Sequence, residues 1–187
     1  QVNGVGTPNT GLALIEVYDV SGPARLINLS TRSMVGTGGN ILISGVIVAP
    51  GSESRKLLVR AAGPALSAFG LTGVLADPAI TVLGAGNLQV ASNDNWGSGS
   101  AAALAAASNR AGAFAFSSGS RDAALIVDLA PGSYSVQVSG TANTTGLALV
   151  ELYDITTANP PTLSIAATVP TTDTLSGLPA VFTVTRT

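Results

Sequence analysis

The sequence predicts an all-β protein: an antiparallel β-sandwich, jelly-roll or immunoglobulin-like, carrying one short Ala-rich helix. Three observations predict it. Short apolar, β-branched runs recur at roughly 8–12-residue spacing with Gly, Pro and Asn between them, the pattern of sandwiches and barrels. The chain is 46% hydrophobic but only 10% charged, so it buries a core while displaying few charges. One nine-residue strand pattern occurs twice, as GLALIEVYD at residues 11–19 and GLALVELYD at residues 146–154.

Seven of the nine positions in that repeat are identical, and the other two exchange aliphatic side chains. The residues before each copy also match, Gln1-Val2-Asn3-Gly4 against Gln137-Val138-Ser139-Gly140, with the N-terminal turn one residue longer. By period two, Leu147, Leu149, Glu151 and Tyr153 share one face of the second copy. Ala148, Val150, Leu152 and Asp154 share the other. Both faces are mainly apolar, which places the strand inside a packed structure.

Taken in order, further strands are expected at residues 25–30, 40–48 (NILISGVIV), 56–61 (KLLVRA), 79–83 (AITVL), 88–91 (LQVA), 113–116, 123–129 (AALIVDL) and 134–138. Gly84-Ala85-Gly86-Asn87 marks a hairpin between the fourth and fifth. Ala130-Pro131-Gly132 marks the turn before the last, with Pro presetting φ and Gly free to adopt positive φ. Residues 64–69 read as a single helical turn. Residues 100–110 read as a short Ala-rich helix on the sheet edge.

The expected organisation is an N-terminal strand segment at 1–19, a main sandwich at 20–155, a Thr/Asn/Pro linker at 156–161 and a C-terminal hairpin segment at 162–187. Two strands cannot bury a face alone, so the hairpin must dock on its own or a neighbouring subunit.

Composition narrows the function classes. A net charge of −2 and no dense basic cluster argue against nucleic acid. Cys and His are both absent, which removes thiol chemistry, His-based triads and Cys/His zinc sites. No apolar run reaches the length of a membrane span. No signal peptide is visible at the start, so either the chain is intracellular or a leader has been removed; an extracellular or cell-surface location after loss of a leader is the expectation.

Three resemblances appear. Residues 121–140, RDAALIVDLAPGSYSVQVSG, are similar to the last strands of bacterial pre-peptidase C-terminal and related secreted sandwich modules. The longer pattern covers most of the chain and looks like tandem repeats in very large surface proteins of environmental bacteria. It runs from Leu26-Ile27-Asn28-Leu29-Ser30-Thr31-Arg32 through Asn93-Asp94-Asn95-Trp96 to Leu149–Asp154. The tail, Pro161–Thr168 and Val181–Thr187, resembles the opening strands of a Calx-beta module, a family that often adds acidic calcium ligands; here Asp173 is the one acid present. These resemblances imply secretion, tandem arrangement, and adhesion or architecture. They imply no reaction.

Candidate chemistry is sparse. Asn93, Asp94 and Asn95 are closely spaced oxygen donors that suit Ca²⁺, and equally suit an Asx-type turn. No other cofactor is indicated. Glu16 and Glu151 sit in apolar strands and, if buried, need a partner such as Arg25, Arg32 or Arg60. Arg121 and Asp122 are placed to form a local ion pair. Asn143 begins the sequon Asn143-Thr144-Thr145, a glycosylation candidate in a predicted turn.

No catalytic residue emerges. The expected function is a self-assembling extracellular filament or surface-layer subunit, joined to its own copies by strand exchange. The interface would use Leu12, Leu14, Ile15, Val17 and Tyr18 from the N-terminal copy, and Leu163, Ile165, Phe182 and Val184 from the C-terminal hairpin. The alternative is an adhesin or glycan-binding stalk module using Trp96, Tyr134 or Phe69 as an aromatic platform.

Overall fold

The computed structural model describes residues 5, 13–16 and 26–156, and the backbone of residues 163–167 and 182–186. Eight strands build the sandwich: β1 (Asn28–Val35), β2 (Leu42–Val48), β3 (Arg55–Ala62), β4 (Pro78–Leu83), β5 (Gln89–Asn93), β6 (Ala123–Leu129), β7 (Gly132–Gly140) and β8 (Gly146–Asp154). They form two antiparallel sheets, ordered β1-β8-β3-β6 and β2-β7-β4-β5.

The path follows from one idea. Asn28 faces Tyr153, Leu42 faces Val138, Arg55 faces Leu129 and Ile80 faces Asn93. The two halves of the chain therefore run back along each other like one long hairpin, turned at β4–β5. Rolling that hairpin brings β3 against β8 and β4 against β7 and closes two sheets. This is a jelly roll. The immunoglobulin-like alternative fails because β1 and β2 would share a sheet there, whereas here they lie in different ones.

Alternation along each strand makes the core. Val35, Val59, Ile80, Val82, Val136, Val138 and Val150 point between the sheets and are buried. A second cluster lies on the outside of the first sheet, where α1 (Ala101–Ala111) sets Leu104 and Ala107 against Leu58, Ala124 and Ile155. The helix ends at Gly112, whose φ of 73° lets its N–H reach back to the last turn. The expected single turn at residues 64–69 is a 3-10 helix, Pro64–Phe69. A further hairpin pairs β9 (Leu163–Ala167) with β10 (Phe182–Arg186).

Two strand expectations need correcting. The first strand runs over Asn28–Val35 rather than 25–30, because Asn28 is where pairing with β8 begins; Leu26 and Ile27 stay exposed. Residues 113–116 form no strand. Their backbone is committed elsewhere: the Ala113 N–H donates to the Ser108 carbonyl at 2.9 Å, and the Phe114 carbonyl accepts from Arg60 at 2.7 Å.

Candidate functional site

The densest group of polar side chains lies under the outer face of the first sheet. Arg60 on β3 and Glu151 on β8 are register partners in adjacent strands. Arg60 is 0% exposed and Glu151 5%. Their Nη1 and Oε2 atoms stand 3.5 Å apart, an ion contact rather than a hydrogen bond. Phe114 and Phe116, which meet edge-on, both pack against the guanidinium, with ring centroids 4.6 Å and 4.0 Å from Cζ. Such desolvated cation–π contacts stabilise by about 2 kcal/mol. The Tyr153 hydroxyl donates to Glu151 Oε1 at 2.7 Å.

Burial sets the electrostatics. Desolvation lowers the Arg60 pKa, with Glu151, Tyr153 and Asp122 opposing it. Tyr153 is pushed up to about 12, first by desolvation, then by its hydrogen bond to Glu151 and that residue's charge. The sequence named Arg60 among three arginines that Glu16 or Glu151 would need, and the structure selects it for Glu151. Arg25 lies outside the described residues, and Arg32 is exposed on β1.

Asp122 is the second buried charge, at 0% exposure. Its Oδ1 accepts the Gly63 N–H at 2.7 Å and the Ala65 N–H at 3.1 Å, so it ties down the start of the 3-10 helix. Ser120 Oγ donates to its other oxygen. The expected Arg121–Asp122 pair does not form. Asp122 turns inward, while Arg121 meets Asp77 at 3.0 Å on the outside.

Asn93, Asp94 and Asn95 stand where β5 leaves the second sheet beside β6 of the first. Asn93 Oδ1 accepts the Ala124 N–H at 3.1 Å, and its Nδ2 donates to the Asn95 carbonyl at 3.1 Å and to Ser98 Oγ at 3.3 Å. The Ser98 N–H and Oγ also donate to the Asn95 carbonyl. Asp94 is exposed. The Asn93 side chain is thus committed to its own turn through Nδ2 and laces the two sheets together through Oδ1. Among the described residues, no group of three or more acidic side chains is placed to hold a metal ion.

The three candidate platform aromatics do not gather. Trp96 is half-buried; its indole donates to the Ser117 carbonyl at 3.3 Å and its ring meets Phe116 edge-on. The Tyr134 hydroxyl donates to the Ala130 carbonyl at 2.9 Å, and its ring packs on the core. Phe69 is exposed and meets Phe114 edge-on. Beside it lies a surface hollow of about 240 Å³, lined by Phe69, Phe114, Ser117 and Ser120 among others. Asn143 sits exposed in a left-handed conformation, φ 59°, at the β7–β8 turn.

Of the expected interface residues, Leu14 and Ile15 are described: both lie outside the two sheets, 83% and 63% exposed. Leu12, Val17 and Tyr18 lie outside the described residues, as do the side chains of Leu163, Ile165, Phe182 and Val184. Sequence reasoning missed Phe114 and Phe116 as partners of Arg60; their signal was there, as two aromatics in alternation, but it read as a strand. Compared with family models, curated proteins and solved structures, the chain matches none.

Proposed function

We propose that this protein is a structural subunit of a self-assembling extracellular filament or surface layer, joined to its neighbours by β-strand exchange through residues 11–19. One observation carries the reading: the described part of the first copy, residues 13–16, stands in an environment opposite to that of its equivalent in β8. In β8, Val150 is 0% exposed, and its equivalent in the first copy, Ile15, is 63% exposed. An apolar strand sequence that fits a jelly-roll core, and whose described residues 13–16 lie outside both sheets, is suited to another copy.

The geometry limits how that works. β8 is paired on both sides, with β1 and with β3. An incoming residue 11–19 segment either replaces β8 or extends the first sheet at β1, whose outer edge has no strand partner among the described residues. Made head-to-tail, either contact propagates where its rotation does not close into a ring. The resemblance to tandem repeats of bacterial surface proteins supports the same setting.

A second reading has its own support. The first copy precedes β1 by a short connection, as the last strand of one unit would precede the next unit along a single polypeptide. The protein is then a unit of an adhesive stalk. Electron microscopy and sedimentation of the full chain and of a deletion of residues 1–19 separate the two. Fibres from the full chain that vanish in the deletion are expected. A monodisperse full chain, or fibres that survive the deletion, overturn strand exchange.

A further inference from the structure

The two outer faces of the sandwich are chemically unlike. None of the 27 strand residues of the β2-β7-β4-β5 sheet is charged, against seven of the 32 in the other sheet. The α-helix lies on the first sheet, over β3 and β6, and among the described residues no helix packs on the outer face of the second. Across that second sheet the outward residues line up in rows. Ile43 stands beside Gln137, Gln137 beside Thr81, and Thr81 beside Ser92. The next row runs Gly45, Ser135, Leu83, Gln89. Ile43 and Ile47 on β2, at the margin of this face, are 53% and 67% exposed.

We propose that this face is a lateral docking surface for the same face of a second copy. Charge supplies the first argument. Two such faces meet without bringing any strand charge to the contact, so no unpaired ion is desolvated, whereas the charged first sheet would incur that cost. Hydrogen-bond chemistry supplies the second. Ser, Thr and Gln each donate and accept, so the surface is complementary to itself under a two-fold axis, as an isologous contact requires.

Area fixes the strength. Four strands at ~4.8 Å spacing and about six residues at ~3.4 Å rise give a footprint of about 400 Å². A stable pair needs about 800 Å² on each partner. A single contact is therefore weak. Repeated along a filament, where neighbouring copies are already linked, the same contact becomes effective through high local concentration. The inference thus rests on the filament reading for its biological weight, though the contact itself does not need filaments.

The test uses the full chain and Gln137→Lys, with Gln137→Ser as a neutral control and the melting temperature as a check on folding. Sedimentation equilibrium over a concentration series reads the contact, and electron microscopy reads lateral bundling. The lysine variant places two like charges in each two-fold contact and should weaken self-association by about tenfold or more. Its filaments should run singly, and the serine control should behave as the parent. Equal self-association in parent and lysine variant overturns the proposal, as does a parent that shows none. Filaments that form but bundle alike in both variants sink the face and leave strand exchange standing. Face-dependent pairing without any filaments does the reverse. Loss of binding to a glycan surface in the lysine variant, with self-association unchanged, assigns the face to another occupant and also overturns it.

Discussion

Arg60 and Glu151 sit directly opposite each other on adjacent central strands, both buried, 3.5 Å apart, with the guanidinium packed against two phenylalanine rings that meet edge-on. The pair fixes the register of β3 against β8, because a one-residue slip would turn Glu151 towards the apolar core. It also pins the 113–116 connection to the sheet, through the Phe114 carbonyl and both rings.

Removing one member leaves the other charge buried and unmatched. Glu151→Leu and Arg60→Met should each cost about 3–5 kcal/mol of unfolding free energy. The double variant should recover much of that loss, since a buried ion pair replaced by apolar groups of similar volume is often close to neutral. Urea denaturation of the four proteins measures the coupling. Additive single losses would show that the two residues do not act as a pair.

Tyr153 gives the fold an alkaline limit. Its pKa rises from 10.0 to about 12 in the folded chain, so the fold favours its protonated form. That contribution is complete below the unfolded value and is lost as pH climbs from about 10 to about 12. Melting temperatures across that range should fall for the parent and fall less steeply for Tyr153→Phe. Parallel curves for the two proteins would refute the assignment.

Gly63 and Asp122 form a junction that tolerates no added atom. A Cβ on Gly63 would stand 2.1 Å from the Leu75 carbonyl oxygen, a backbone atom that cannot swing aside. Gly63→Ala should therefore cost at least about 2 kcal/mol, at the upper part of the range for overpacking. Asp122→Ala strands the N–H groups of Gly63 and Ala65, at about 1–3 kcal/mol for each buried donor left unpaired. Gly63 and Asp122 share a hydrogen bond, so the losses of the double variant should not simply add. Denaturant midpoints of the three variants decide it.

Much of the fold was legible because strand period and turn chemistry are local. Residues 123–129 match β6 to the residue, and 64–69 match the 3-10 helix. Alternation failed at residues 113–116, where two phenylalanines spaced for a strand instead pack against a cation supplied 54 residues away in sequence. Periodicity carries no information about such a partner. The same limit hid the uncharged face. Strands such as LISGVIV and QVASN are visibly neutral in sequence, yet only the sheet order places all four neutral strands side by side. The duplicated strand was legible in full, but the central position of β8, paired on both edges, was not.

The rolled hairpin has a last consequence. Because β1 and β8 are the two ends of one folded-back ribbon, the polypeptide enters and leaves the jelly roll at one corner. Ile27, just before β1, accepts a hydrogen bond at 2.9 Å from the N–H of Asp154, the last residue of β8. A string of such domains would hang as pendants from a shared backbone line, each free to turn its neutral face sideways, instead of stacking like beads threaded through their centres. Reach along the string would then depend on the connecting segments, and width on the domains.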